Sequence, residues 1–337
     1  MNTEPLPVQV LVFQHLKTLI PAHLSLVDEI STLLDISPDS AYRRIRGEKP
    51  ISLEEAKIIC TKYHLSIDQF LHAESNSILF TYPPPLDKPD PFDAWLNQLL
   101  RQLQLINSFE KRHMYWLLKD IPPMMHFCSR ELTLFKIFLW TKSILFDDRM
   151  KGVKFDINDN RYEKYLQKTS TVIKAFEQVP ITEIWNVESI NSSIRQIRFH
   201  YDAGSFRTVD DALLILNKLK ELIDHFELQA ENGVRFSLGG DPSSSKVPYN
   251  MFVNELILGD NTIYFEAGDL KITFLNHSVL NYIYTTNEGF NRRILENMNN
   301  LINKSTMISK VGEKERATFF NTLRRQIHDA SLHIHAN

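Results

Sequence analysis

Arg43, Arg44, Arg46 and Lys49 crowd into one short stretch, just after Ser37-Pro38-Asp39-Ser40 and around Tyr42. Their chemistry suits a nucleic-acid groove. A guanidinium is a planar fork of donors that matches guanine O6 and N7 through two parallel bonds, and Arg43 is expected to read a base in this way. Two roles stay open for Asp39: acceptance from cytosine N4, or support of a helix N-terminus. Tyr42 either packs on a thymine methyl or bonds to a phosphate. Arg44, Arg46 and Lys49 are expected at phosphates, which set register without reading sequence.

A short helix has to present these groups. Ser37 is a good N-cap, and Pro38 falls at the first helical position, where its missing N–H is not needed. Ile36 and Ala41 can form a hydrophobic staple. Ala41 and Ile45 are four apart and share the inward face, opposite Asp39, Tyr42, Arg43 and Arg46. Gly47 can take the left-handed conformation that stops the helix. Before it, Leu26-Val27-Asp28-Glu29-Ile30 reads as part of a bracing helix, and the two helices meet at a three-residue turn. Val8 to Ile20 predicts a first helix. Ser52-Leu53-Glu54-Glu55 and Ser66-Ile67-Asp68-Gln69 are capping boxes that open two more. Five helices in residues 1–72 make one small domain.

This arrangement resembles the Xre/Cro repressor family of helix-turn-helix domains. The matching residues are Leu26-Val27-Asp28-Glu29-Ile30, Leu34-Asp35-Ile36-Ser37, then Ala41, Arg43, Arg46 and Gly47. They continue through Pro50-Ile51-Ser52-Leu53-Glu54-Glu55-Ala56 and His64-Leu65-Ser66-Ile67-Asp68-Gln69-Phe70. The resemblance covers roughly residues 8 to 72. It implies that Pro38, Asp39, Ser40, Tyr42 and Arg43 touch base edges of double-stranded DNA. The family often has glutamine where Pro38 stands, so the usual glutamine–adenine contact is absent here.

Charge bears on the partner. Residues 1–72 hold seven Lys/Arg against nine Asp/Glu, a net of −2, whereas residues 36–50 are net +2. The positive charge is local to the expected reading edge, so DNA affinity should be modest and salt-sensitive. The alternative is an interaction adaptor whose helix-turn-helix docks a protein partner. Over all 337 residues the net charge is −3, and the two cysteines, Cys60 and Cys128, suit a reduced compartment. No secretory or membrane-spanning pattern stands out, so a cytoplasmic protein without membrane contact is expected.

Residues 73–91, with Pro83-Pro84-Pro85, Pro89 and Pro91, read as a semi-rigid linker. Residues 92–337 read as a mainly helical dimerisation or sensor domain. Its expected helices are Phe92 to Lys119, Ser129 to Arg149, Asn160 to Glu177, Ile181 to His200, Thr208 to Glu231, Glu288 to Lys304 and Glu313 to Ala330. Ala212, Leu216, Leu219, Ile223, Phe226 and Ala230 form a heptad seam that fits either a homodimer or the inside of a bundle. A small antiparallel β-meander is expected near residues 250–276, with Gly259-Asp260-Asn261 and Ala267-Gly268-Asp269 as turns. Gly239 to Lys246 lacks nucleotide-loop spacing and reads as a connector. His328, His333 and His335 read as a frayed tail rather than a metal site. No nucleophile motif is visible, so neither an enzyme nor a cofactor or metal is expected. Aromatics near Tyr115-Trp116 and Met124 to Phe127, with His113, His126 and Arg130, are the place to look for an effector pocket. The overall expectation is a mainly α, sequence-specific transcriptional regulator, dimeric, with a small-molecule or protein effector.

Overall fold

The computed structural model describes residues 7–20, 24–63, 65–71, 78–82, 90–256 and 259–336. The chain divides into two compact units, Met1–Leu79 and Phe80–Asn337. Pro83, Pro84, Pro85 and Pro89 of the expected linker lie outside the described residues, as does His64.

The smaller unit is built from α1 (Val8–Leu19), α2 (Leu26–Leu34), α3 (Pro38–Ile45), α4 (Leu53–Tyr63) and α5 (Asp68–Leu71). Local chemistry sets most of these ends. The Ser25 hydroxyl caps α2 and the Ser37 hydroxyl caps α3. The Ser52 hydroxyl accepts from the Glu55 N–H (3.1 Å) while the Glu55 carboxylate accepts from the Ser52 N–H (2.9 Å), a complete capping box. At the end of α2, Asp35 turns left-handed (φ 51°), and the Ile36 N–H reaches back to the Ser31 carbonyl. Val12, Phe13, Leu16, Ile30, Ala41 and Ile59 fill the centre, with Leu26, Leu34 and Ile45 packed around them.

The larger unit departs from the helical bundle with a meander. Its helices surround a mixed sheet that has seven strands among the described residues, in the order β6-β5-β4-β1-β2-β3-β7. In chain order the elements are α6 (Pro91–Ser108), β1 (His113–Leu117), a 3-10 segment (Pro123–Cys128), α7 (Arg130–Ser143), α8 (Glu163–Glu177) and β2 (Ile181–Trp185). Next come α9 (Asn191–Asp202), α10 (Val209–Asn232), β3 (Tyr249–Val253), β4 (Thr262–Ala267), β5 (Leu270–Asn276) and β6 (Tyr282–Thr285). The chain then forms α11 (Glu288–Asn303), β7 (Thr306–Met307) and α12 (Glu313–Ala336). Strands β1, β2 and β3 are parallel neighbours, and β4 to β6 add an antiparallel wing beside β1.

Two expectations change, and the structure selects between the two left open for the heptad seam. The segments 92–119 and 181–200 are each a helix and a strand, not one helix. Every residue of β2 is buried, Thr182 and Glu183 included, so the strand lacks the apolar/polar alternation of a half-buried strand, and its apolar residues Ile181, Ile184 and Trp185 stand at helical spacing. The antiparallel meander is β4-β5-β6; the strand expected before it, β3, pairs in parallel with β2 instead. The heptad seam of α10 is interior: Ala212, Leu216, Leu219, Ile223, Phe226 and Ala230 are all at most 2 % exposed. They are filled by the unit's own core, so any pairing of two copies needs another surface.

Pro91, expected in the linker, is the first residue of α6, capped by Asp90. The expected C-terminal tail is the last turns of α12, where Ile334 is buried and His333 pairs with Asp202 at 3.2 Å. Among the described residues no helix is long and apolar enough to cross a membrane, and no group of three or more His, Cys, Asp or Glu residues could hold a metal.

Candidate nucleic-acid interface

Helix α3 separates its two faces sharply. Ala41 is fully buried and Ile45 packs on the small unit's core, while Pro38, Asp39, Tyr42, Arg43 and Arg46 are exposed. At 1.5 Å rise per residue the eight-residue helix is about 12 Å long. Ser37 uses its hydroxyl as an acceptor for the Ser40 N–H at 3.2 Å, so its proton remains free to donate outward. Ser40 is half-buried.

The basic residues do not behave alike. Arg43 and Lys49 are exposed and make no ion pair among the described residues. Arg46 sits over the Tyr42 ring, 5.6 Å from its centroid, and its Nε lies 3.3 Å from a Glu48 carboxylate oxygen. Tyr42, 48 % exposed, is therefore held by a cation that stands one turn further on.

Arg44 contradicts its expected place at a phosphate. It is only 7 % exposed. Its Nε donates to Glu55 Oε2 at 3.1 Å and its Nη2 to Glu55 Oε1 at 2.7 Å, a two-pronged pair, and Nη1 reaches the Ser40 carbonyl at 3.3 Å. The guanidinium bond holds the Glu55 carboxyl below the usual carboxylate range. Since Glu55 also closes the capping box of α4, Arg44 ties the exposed helix to the next one. The turn after α3 is held by a residue that sequence reasoning missed. The Gln9 amide donates to the Arg44 carbonyl (2.7 Å) and the Lys49 carbonyl (2.8 Å), and its oxygen accepts from the Ile51 N–H (3.0 Å). Only the position of Gln9 on α1 brings it there; no local motif signals it. Tyr63 adds a brace from α4 to α2, donating to Glu29 at 3.2 Å.

Gly47 closes α3 as expected, with φ 77° and the Glu48 N–H returning to the Arg43 carbonyl at 2.9 Å. A side chain there would also press on Val10, since an added Cβ meets its Cγ2 at 2.9 Å.

In the larger unit, the three polar residues expected near one pocket separate. His126 lines a cavity. The His113 ring instead bonds to the Thr182 hydroxyl at 2.9 Å, and Arg130 pairs with Glu163. Compared with protein-family models, with curated proteins and with solved structures, the chain finds no match.

Proposed function

We propose that residues 8–71 act as an Xre/Cro-like helix-turn-helix that reads double-stranded DNA, and that the chain is a sequence-specific transcriptional regulator. The observation that carries this reading is the exposed face of α3. Tyr42 and Arg43 stand clear of the core, Lys49 follows at the turn, and the opposite face is anchored through Ala41, Ile45 and Arg44. Arg43 takes the base-reading role, Arg46 and Lys49 the phosphate roles, and Arg44 the role of holding the helix. With Arg44 neutralised by Glu55, the surface charge that meets DNA is smaller than the sequence suggests, so salt sensitivity rests on few phosphate contacts. A pair of copies would read half-sites about one helical turn, roughly 34–36 Å, apart. No catalytic role is assigned.

Docking of a protein partner by the same helices is the second reading, favoured by the unit's net charge of −2 over residues 1–72. The test is DNA retention on the upstream region of the protein's own operon at two salt concentrations. Arg43→Ala is expected to lower discrimination between preferred and scrambled sites by about 1–3 kcal/mol. Unchanged retention and discrimination in this variant, with loss of a captured protein partner, would favour the adaptor instead.

A further inference from the structure

The carboxyl ends of β1 and β2 open into a cavity of about 640 Å³ within the larger unit. Its size lies in the range of small-molecule sites, roughly 300–1,000 Å³. Its place is the one where sheets with parallel strands bind ligands, in the crevice outside the strands' carboxyl ends. The loops that shape it are stitched together. The Ser189 hydroxyl donates to the Leu118 carbonyl (2.8 Å), the Asn186 amide to the Leu256 carbonyl (3.2 Å), and Asn261 Oδ1 accepts from the Lys119 N–H (2.9 Å). The cavity is therefore a built feature of the fold.

One wall is α7, which places Lys136 in the lining although the residue is only 3 % exposed. Its ammonium donates to Ser193 Oγ (3.1 Å) and Gln196 Oε1 (2.7 Å). An ammonium has three donors, and the third has no acceptor among the described residues. No carboxylate among the described residues lies within ion-pairing distance of it either. Asp120, whose charge acts on it from beyond contact, already accepts from the Ile121 N–H (2.8 Å) and faces the Ser193 hydroxyl at 3.5 Å.

The ammonium is also fixed in place. His126 donates from Nδ1 to the Pro123 carbonyl at 3.3 Å, so its Nε2 accepts from Ser193 at 3.2 Å. Burial and the Lys136 charge keep that ring neutral. A buried cation without a contacting counter-ion is costly. Here it is held rigidly at the edge of an open space.

Two further features point the same way. Arg195 lines the cavity from α9, is exposed, and has neither an ion pair nor a side-chain hydrogen bond among the described residues. His200, also in the lining and 3 % exposed, has an Nδ1 without a partner among the described residues. Three carboxylates share the lining and none is in ion-pair contact with Lys136 or Arg195: Asp260 is taken by Lys119 at 2.5 Å, Glu188 is exposed to solvent, and Asp120 acts on Lys136 only at longer range. Leu139, Trp140, Ile144, Trp185 and Phe199 give the lining an apolar part, beside polar side chains such as Ser143, Asn191, Ser192 and Asn276.

We propose that this cavity binds a small organic anion. Its carboxylate or phosphate takes the third donor of Lys136, with Arg195 as the second cation, and its apolar body lies against Trp140, Ile144 and Phe199. The site belongs wholly to the larger unit, and its occupancy does not require the smaller unit to bind DNA.

The probe is 8-anilinonaphthalene-1-sulfonate, an apolar body carrying one anionic group, titrated into the full-length chain at neutral pH. Trp140 and Trp185 line the cavity, so bound dye is expected to quench them and to emit under tryptophan excitation, saturating at one dye per chain. Lys136→Met is expected to weaken the dye about tenfold or more, and Arg195→Ala about threefold or more. The uncharged analogue N-phenyl-1-naphthylamine should bind all three proteins alike. Near-UV circular dichroism checks that the fold is native; if Lys136→Met loses it, the exposed Arg195→Ala carries the test. Displacement of the dye by benzoate or by phenyl phosphate tells which acid group the cations prefer. Equal dye affinity in the natural protein and the folded variants overturns the proposal. So does the absence of saturable dye binding, or failure of both acids to displace it.

Discussion

Two incompatible roles can be set against each other for Arg44 of α3, phosphate ligand or structural brace, and they predict opposite experiments. As a phosphate ligand it would leave stability untouched, and its loss would lower the salt slope of DNA binding by about one. As a brace it anchors α3 to α4. The size of that anchor can be worked from the geometry. Two charge-assisted bonds reach Glu55 at 3.1 and 2.7 Å, and a third reaches the Ser40 carbonyl at 3.3 Å. Hydrogen bonds to charged groups contribute about 1.5–3 kcal/mol each. However, the Glu55 side chain keeps 21 % of its surface, so water rehydrates an abandoned carboxylate. Methionine also retains much of the apolar stem. The net loss for Arg44→Met is then about 2–3 kcal/mol, below the figure for a fully buried pair broken on one side. Glu55→Gln keeps an acceptor for the Ser52 N–H but loses the charge, and is expected to lose about 1–2 kcal/mol. The sign with pH follows from the depressed Glu55 carboxyl. Its stabilisation is complete above the unfolded value of about 4.3 and disappears as pH falls through the lower folded value. Hydrogen exchange of the full-length chain reads the effect over residues 38–63, where Arg44→Met should speed exchange roughly 30- to 150-fold at neutral pH. Unchanged exchange in both variants, together with weaker DNA binding by Arg44→Met but not by Glu55→Gln, would refute the brace.

Other outcomes are expected. Arg46→Ala and Lys49→Ala should weaken DNA binding on all sequences alike, each lowering the salt slope by about one, as measured by anisotropy across a salt series. Gly47→Ala puts a side chain at φ 77° and 2.9 Å from Val10 Cγ2, and should destabilise the small unit by about 1–2 kcal/mol in denaturant titration. Burial pushes the His225 ring down to about 4, and the His200 ring likewise. Their stabilisation is complete above the unfolded value near 6.5 and is lost as pH falls toward 4, about 3 kcal/mol for each ring. Acid unfolding followed by tryptophan emission should therefore begin at lower pH in His225→Gln, and an unchanged midpoint would contradict the assignment.

The parts of this molecule that a reader can derive from the chain alone are those whose causes are local. Ser37 with Pro38, Ser52 with Glu55, and Gly47 each settle a helix end within four residues of themselves, and the structure places those ends accordingly. The sheet was hidden for the opposite reason. Ile181, Ile184 and Trp185 stand at spacings that fit one helical face as well as a strand, and β2 exists only because β1 and β3, more than sixty residues away on either side, flank it. The ion pair of Arg44 has no local signal because its partner sits on the following helix, and the bonds of Gln9 have none because they span more than thirty residues. The cavity has no sequence signature for the same reason: Asp120, Lys136 and Gln196 become neighbours only when separate strands and helices have met.

The margins of the sheet carry one more consequence. At one side the last ladder is only two residues long, Thr306–Met307; at the other, Thr81 exchanges backbone hydrogen bonds with Tyr284 while Phe80 leans its ring on Phe290, 5.5 Å between centroids. Open β margins invite strangers, because their idle amides and carbonyls can template a further chain. The few residues that lead into the larger unit thus act as a selvedge, finishing a fabric that would otherwise unravel into sticky thread. Fragments prepared for crystallography or screening should begin before Phe80, since a cut at Asp90 would strip that hem away and leave Tyr282–Thr285 bare to aggregation.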